Sequence, residues 1–261
     1  MAVYASVGFI RSFLRKLWGQ PSCSANITGI LSLIFLVSPT LSIGHACEYC
    51  YGPLVMKKDR TAFHKNITPR ASALEYLSSD CYDLNRAGDT RPVFCSFSCD
   101  PWQQVDVEYG ITREALIILF TYGRSIILLT KGGKRSMRDF DLLAANAHRV
   151  MYGATLVFRD DAGALKHEPH AAPTSERLYA LREAHRLGIR TWVSLEPVYS
   201  PEDTFALIDA TQGYVDVYKV GKLNYRPEAD EIDWKKFAVD VEKKLKSTGK
   251  EYYIKSDLRK V

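Results

Sequence analysis

The sequence has little of several features that define protein classes. Six cysteines in 261 residues are too few for a disulfide scaffold, and 16 glycines and 11 prolines are ordinary for a globular chain. The apolar run at residues 30–37 (ILSLIFLV) is too short to span a bilayer as a helix. We therefore expect a folded protein without stable membrane association, and we place it in the cytoplasm.

Acidic residues are absent from the first 46 positions, where Arg11, Arg15 and Lys16 are the only charged side chains. The remainder carries 32 basic and 30 acidic residues, so most of the net charge of +5 comes from this start. The body has no dense run of Lys and Arg. Its charge alone therefore requires no nucleic-acid partner, although folding can gather basic residues on one face.

We divide the chain into an atypical acid-free leader, residues 1–43, and a single domain, residues 44–261. Three interpretations of the leader stay open. It suits an organelle-targeting segment, because residues 8–18 would form a basic amphipathic helix. It suits a signal peptide, although no clear cleavage site follows its apolar run. It also suits a misassigned start or a shifted reading frame.

Short apolar runs alternate with amphipathic stretches from residue 91 onward. Buried strands are predicted at residues 93–98, 125–130, 154–158, 190–195 and 214–220, because these runs are apolar at nearly every position. Helices are predicted at residues 112–121, 138–149, 174–187, 201–212 and 233–246. This alternation predicts an α/β fold with a parallel sheet, either open or closed into a full or partial barrel.

Polar residues follow the predicted strands, where parallel sheets carry their chemistry. They are Cys99, Asp100, Thr130, Lys131, Arg159, Asp160, Glu196, Lys222 and Asn224. Any one of them is explained equally well by contact with water. As a set they predict a polar ring around one edge of the sheet.

Residues 44–53 read GHACEYCYGP and contain the pair Cys47 and Cys50. Such a pair occurs in zinc sites, redox dithiols and iron–sulfur ligand sets. A second pair with zinc spacing is missing, and Gly52 and Pro53 would break the helix that a thioredoxin-like motif needs. The residues around the motif make it more specific. It is followed by FSCDPWQ at 97–103, LTK at 129–131, MRD at 137–139, EP at 168–169, VSLEP at 193–197 and YKVGKLN at 218–224.

In this order the motifs resemble the radical S-adenosylmethionine superfamily, in its spore photoproduct lyase-like branch of DNA repair lyases. The resemblance covers about two thirds of the chain, residues 44–225. It implies a partial (β/α)6 TIM-like barrel with a [4Fe–4S] cluster in the loop after the first strand. Reduction of S-adenosylmethionine at such a cluster gives a 5′-deoxyadenosyl radical that abstracts hydrogen from a substrate. The implied partners are an electron donor such as a flavodoxin or ferredoxin and, by analogy alone, nucleic acid.

The resemblance also implies roles for individual residues. Cys47 and Cys50 match the second and third cluster ligands, and Tyr49 matches an aromatic residue that lies against the adenine. The positions that contact or frame S-adenosylmethionine are matched by Cys99, Asp100, Lys131 and Thr155. In the lyases a cysteine near the second strand end returns a hydrogen atom to the product. The strict offset falls on Phe97, and Cys95 and Cys99 on the same strand face are the catalytic candidates.

One position departs from the family pattern. Ile43 stands where the first cluster cysteine belongs, and an isoleucine side chain has no donor atom. Cys23, Cys95 and Cys99 are candidate replacements. The alternative is a non-catalytic barrel homologue without a competent cluster. A further alternative is an exported or organelle protein in which Cys47 and Cys50 form a disulfide or stay idle.

Overall fold

The computed structural model describes residue 40, residues 42–95 and residues 99–260. Nearly all of the leader, together with Cys23 and Phe97, lies outside these ranges. Six strands form one sheet in the order β1 to β6, and every neighbouring pair is parallel. They are β1 (Val93–Cys95), β2 (Ile126–Thr130), β3 (Val150–Thr155), β4 (Arg190–Val198), β5 (Val217–Lys222) and β6 (Glu251–Ile254). The sheet is open, with helices between strands, so the predicted α/β fold with a partial TIM-like barrel is confirmed.

Eleven α-helices occur in the described ranges. Before and after β1 these are α1 (Gly52–Met56), α2 (Arg60–Lys65), α3 (Ala73–Arg86), α4 (Asp106–Tyr109) and α5 (Ile111–Thr121). The later ones are α6 (Phe140–Ala145), α7 (Asp161–His167), α8 (Thr174–Arg186), α9 (Pro201–Thr211), α10 (Trp234–Thr248) and α11 (Ser256–Arg259). Short 3₁₀ turns cover Gly133–Asp139, Ala147–Arg149 and Pro227–Glu231. No helix of this part of the chain is both long and apolar enough to cross a bilayer.

The helix boundaries follow local chemistry. The Ser200 hydroxyl accepts a hydrogen bond from the backbone N–H of Asp203, with Pro201 at the first helical position, and so begins α9. Asp233 begins α10 in the same way, and Gly249 ends it with a φ of 67°. The buried faces of these helices pack with the sheet in one large core. Leu181, Leu245 and Tyr218 within that core are fully buried.

Several predicted elements differ from the observed ones. The fifth strand occupies Val217–Lys222 rather than residues 214–220, and the fourth continues to Val198. The third strand occupies Val150–Thr155 rather than residues 154–158. Leu156, Val157 and Phe158 are buried but lie beyond the strand, where Phe158 stacks on His167 with ring centroids 4.8 Å apart. Because residues 156–158 are apolar, the predicted strand continues past Thr155, where the observed strand ends. The predicted helix at 138–149 is divided between α6 and two 3₁₀ turns.

We predict that Gly153→Ala destabilises the sheet. A Cβ at Gly153 would lie 2.2 Å from Trp192 Nε1, and that nitrogen donates a hydrogen bond of 2.8 Å to the Leu128 carbonyl. The substitution therefore strains the junction of β2, β3 and β4, and overpacking of this kind costs about 1–3 kcal/mol of the free energy of unfolding. Chemical denaturation measures the loss. Gly213→Ala is the matched control because a Cβ there meets nothing within 4 Å. Equal stability of the two variants would contradict the prediction.

Candidate functional site

The cysteine loop, residues 44–51, places Cys47 and Cys50 on one turn. The Cys50 N–H donates to the Cys47 carbonyl at 3.0 Å, Cys47 is buried, and Cys50 is half-buried. Ala46 has a φ of 53°, a left-handed conformation that is costly for a residue with a Cβ. Both cysteines are free thiols. Burial raises the pKa of the Cys47 thiol to about 11.

Contacts from distant segments fix the loop. His45 Nε2 lies 2.9 Å from Asp100 Oδ2. The Glu48 N–H donates to the His167 carbonyl at 2.9 Å, and the His170 N–H donates to the His45 carbonyl at 3.2 Å. The loop is therefore held on one side by the end of α7 and on the other by the segment after β1.

Arg60, the first residue of α2, also holds the cysteine loop. Its guanidinium donates hydrogen bonds to the carbonyls of Cys47, Glu48 and Cys50. Three carbonyls on one guanidinium fix the curvature of the loop through its backbone, so the side chains of the two cysteines are left available. Nothing in the sequence pattern marked Arg60.

Asp100 connects this loop to the sheet. Its carboxylate accepts hydrogen bonds from the Trp102 N–H at 2.9 Å, the Thr130 hydroxyl at 2.7 Å and the Lys131 N–H at 2.6 Å. Burial alone would raise the pKa of this carboxyl group, but the His45 contact and these hydrogen bonds outweigh it and lower the pKa to about 2. The end of β2 and the cysteine loop are thus tied to one buried charge.

Lys131 follows β2 and points to the cysteine loop. Its Nζ lies 3.6 Å from Cys47 Sγ, 3.5 Å from Glu168 Oε1 and 5.0 Å from the centre of the Tyr49 ring. Burial would lower the pKa of this ammonium group, but the charges of Cys47 and Glu168 outweigh it and the pKa is raised. A cation is therefore held beside a cysteine sulfur and an aromatic face.

Glu168 and Arg177 form a buried ion pair. Arg177 Nη2 lies 2.5 Å from Glu168 Oε2, and Arg177 Nη1 donates to the Thr155 carbonyl at 3.0 Å. Glu168 also accepts a hydrogen bond from the Tyr49 hydroxyl. The pair extends from the end of β3 to the cysteine loop. It therefore stabilises the strand end and also contacts the site residue Tyr49.

The structure brings most of the predicted site residues together. Those at the carboxyl edge of the sheet or on the cysteine loop are Cys47, Tyr49, Cys50, Asp100, Lys131 and Thr155. Cys99 directly precedes Asp100 and is buried. Whether these residues bind the predicted ligands stays a prediction.

Cys95 lies apart from this group. It is the last residue of β1 and lines a small apolar cavity with Leu77, Ala115 and Leu116, which belong to the covering helices α3 and α5. Burial raises the pKa of its thiol well above the usual range. Which of Cys95 and Cys99 returns a hydrogen atom stays a prediction.

Other members of the predicted polar ring have ordinary partners. Asp160 caps α7 by accepting from the Gly163 N–H, and Arg159 pairs with Asp203 at 3.3 Å. Outside this ring, His167 Nδ1 lies 2.8 Å from Glu48 Oε2, so His167 helps to hold the cysteine loop.

Glu196 at the end of β4 lies between two lysines. Glu196 Oε2 lies 3.0 Å from Lys219 Nζ, and Oε1 lies 2.8 Å from Lys255 Nζ. Glu196 was a predicted ring member, but its lysine partners were not. Lys219 lies on β5 and Lys255 directly follows β6. Sequence spacing gives no sign that either lysine lies near Glu196.

His64 is a further residue that sequence reasoning missed. It lies on α2, and its Nδ1 is 2.6 Å from the carbonyl oxygen of Ile43, the position that lacks the first cluster cysteine. Its Nε2 is buried and has no hydrogen-bond partner among the residues that the structure describes. Burial lowers the pKa of the His64 imidazole, although its bond to Ile43 opposes the shift.

The donor set can be compared with the iron–sulfur cluster that the resemblance implies. Two thiols, Cys47 and Cys50, lie on one turn, and the orphaned Nε2 of His64 is a third nitrogen or sulfur donor near position 43. Within residues 42–95 and 99–260 no three His, Cys, Asp or Glu side chains surround a point where a single metal ion would bind. A cluster differs from a single ion because each of its irons takes its own ligand. The two thiols and the imidazole nitrogen are donors of the kinds that fit such a cluster.

Comparisons with known proteins show what the chain is similar to. No family model matches the sequence. An uncharacterized protein of Acidianus two-tailed virus, ORF301, is 24% identical over 165 residues, which cover 60% of this chain and 53% of the relative. The match therefore spans about half the length of that curated relative.

Two solved structures share the fold. Spore photoproduct lyase complexed with dinucleoside spore photoproduct has a TM-score of 0.64 at 12% identity, over 84% of this chain and 76% of the lyase. Streptococcus suis SuiB bound to S-adenosylmethionine has a TM-score of 0.58 at 12% identity, over 83% of this chain and 45% of SuiB. Both are radical S-adenosylmethionine enzymes. At these identities the similarity shows the fold, and it agrees with the family that the motifs resemble.

We predict that Asp100 makes stability depend on pH. Its pKa is about 2 in the folded protein against an ordinary 3.8, so its contribution is complete above about pH 5 and is lost as the pH falls toward about 2. We compare the free energies of unfolding of the wild type and of Asp100→Asn. The excess of the wild type over the variant should decrease by about 2 kcal/mol between about pH 5 and about pH 2. Denaturation at a series of pH values measures it. A difference that stays constant with pH would contradict the assignment.

Proposed function

We propose that this chain is a radical S-adenosylmethionine enzyme with lyase-like chemistry. The observation that carries the proposal is the position of Lys131, whose ammonium lies beside Cys47 and over Tyr49 at the carboxyl edge of the sheet. S-Adenosylmethionine has a carboxylate, an amino group and an adenine ring. A half-buried cation, a thiolate-bound metal and an aromatic face are suited to these three groups in turn.

Cys47 and Cys50 would hold two irons of a [4Fe–4S] cluster in this proposal. When bound and reduced, such a cluster supplies the electron that cleaves S-adenosylmethionine to methionine and a 5′-deoxyadenosyl radical. The contribution of the protein is to exclude water and to fix the loop. Arg60, His45 and the His167 carbonyl do so through the contacts described above.

Lys131 would pair with the carboxylate of S-adenosylmethionine. Its present anionic neighbour, Glu168, is already neutralised by Arg177 at 2.5 Å, so the ammonium can take a second anion without leaving a buried carboxylate unpaired. Tyr49 would lie against the adenine, with its hydroxyl held by Glu168. Two further residues would frame the ligand. Thr155 does so from the end of β3, and Asp100 does so from the segment after β1.

The substrate is proposed by analogy only. The lyase branch acts on DNA, which makes nucleic acid the first candidate, and Cys99 the candidate for returning a hydrogen atom to the product. SuiB has been crystallised with a precursor peptide, so the fold also serves other substrates. A flavodoxin or ferredoxin would supply the electron.

The direct test is turnover of S-adenosylmethionine. The chain, reconstituted with iron and sulfide without oxygen and reduced with dithionite, should release 5′-deoxyadenosine and methionine. Turnover by Cys47→Ala and by Cys50→Ala should be lower than that of the wild type by a factor of about 100 or more, since each variant lacks one cluster ligand. Cys81→Ala, which removes a buried thiol on α3, is the control for loss of a cysteine. Undiminished turnover in the Cys47 and Cys50 variants would overturn the proposal.

We further predict that Lys131→Met weakens S-adenosylmethionine binding. A charged hydrogen bond contributes about 1.5–3 kcal/mol, so the dissociation constant should rise about 10-fold to 100-fold. Equilibrium dialysis with labelled S-adenosylmethionine measures it. Lys134→Met is the matched control, because Lys134 is exposed and lies over the Tyr179 ring. Equal affinity in both variants would contradict the role given to Lys131.

A further inference from the structure

His64 contacts the residue that stands where a cluster cysteine is missing. Position 43 has an isoleucine, and the imidazole of His64 lies against its backbone, with Nδ1 2.6 Å from the carbonyl oxygen. No sequence spacing relates residue 64 to the cysteines. The relationship exists only because α2 folds back onto the start of the cysteine loop.

The hydrogen bond to Ile43 defines which nitrogen of the His64 ring carries the proton. A carbonyl oxygen can only accept, so Nδ1 carries the proton and Nε2 has the free lone pair. Nε2 is buried and has no partner among the described residues. An unsatisfied buried acceptor is costly. A metal-bound histidine has this same arrangement, with one ring N–H on a backbone carbonyl and the other nitrogen on the metal.

Helix α2 directs His64 and Arg60 to the same region. The two residues are one turn apart on a single helix face. Arg60 binds the carbonyls of Cys47, Glu48 and Cys50, while His64 binds that of Ile43. One face of a short helix therefore contacts both ends of the segment from residue 43 to residue 50. Asp59 fixes the start of the helix by accepting from the Ala62 N–H at 2.8 Å.

We propose that His64 Nε2 replaces the missing cysteine as the third protein ligand of the iron–sulfur cluster. This inference rests on the proposed function, because it assumes that Cys47 and Cys50 hold two irons. Imidazole is an established iron–sulfur ligand. It is neutral where a cysteine thiolate is negative, so the cluster would have one negative charge fewer than a three-cysteine cluster. Its reduction potential would therefore be higher.

The test is cluster assembly with a spectroscopic signature of the ligand. The wild type, His64→Ala, His64→Cys, Ile43→Cys and the double variant His64→Ala with Ile43→Cys are reconstituted without oxygen. His148→Ala is the control, since His148 is exposed on a 3₁₀ turn away from the loop. Iron and sulfide are counted, and pulsed electron paramagnetic resonance of the reduced cluster is recorded with ¹⁴N and ¹⁵N histidine. Circular dichroism melting shows which variants fold.

The wild type and His148→Ala should hold about four irons per chain, as a cubane cluster requires. They should also show a nitrogen coupling that changes with ¹⁵N histidine. His64→Ala should lose at least half of its iron. His64→Cys and the double variant should regain about four irons without the nitrogen coupling. Because His64→Cys keeps a third ligand and does not carry the alanine substitution, it answers the question even where His64→Ala does not fold.

Three outcomes would overturn the proposal. A wild-type cluster of four irons without histidine coupling would assign the ligand to another residue and leave the proposed function standing. If the wild type holds no iron and Ile43→Cys holds four irons, the cysteine loop can bind a cluster but His64 is not a cluster ligand. Absence of iron from every variant, Ile43→Cys included, would end both this proposal and the proposed function.

Discussion

Asp100 is the group on which the geometry of the site depends. Its buried carboxylate receives the Trp102 N–H, the Thr130 hydroxyl and the Lys131 N–H and lies against His45. Three segments that are distant in the sequence therefore share one charge. A buried carboxylate is stable only when such partners surround it. The position of Lys131 beside Cys47 follows from this arrangement, since both residues adjoin groups bonded to Asp100.

A second buried charge extends the site toward β3. Glu168 contacts Arg177, Lys131 and Tyr49, and Arg177 holds the Thr155 carbonyl. The two cations exceed the single carboxylate by one positive charge within this group. Such a surplus beside Cys47 favours an anionic ligand, either a thiolate-bound cluster or the carboxylate of S-adenosylmethionine. The Glu168–Arg177 pair thus stabilises the end of β3 and also positions Lys131 and Tyr49, the residues proposed to bind S-adenosylmethionine.

The sequence predicted the parallel α/β fold and the edge at which polar residues gather, because buried strands and helix caps have local signatures. Boundaries failed where apolar residues continue past a strand, as at Leu156 to Phe158. Cys47, Cys50 and Lys131 were predicted from a family resemblance rather than from spacing alone. Arg60, His64 and Lys255 were not found, because their roles arise from tertiary contacts that no local pattern encodes.

The most direct test of the account is the location of iron in the folded chain. Crystals of the reconstituted protein with S-adenosylmethionine, measured at the iron absorption edge, would give an anomalous difference map. We expect one compact iron peak bonded to the sulfurs of Cys47 and Cys50 and to His64 Nε2, with the carboxylate of S-adenosylmethionine at Lys131. An empty cysteine loop, or iron bound elsewhere in the chain, would contradict it.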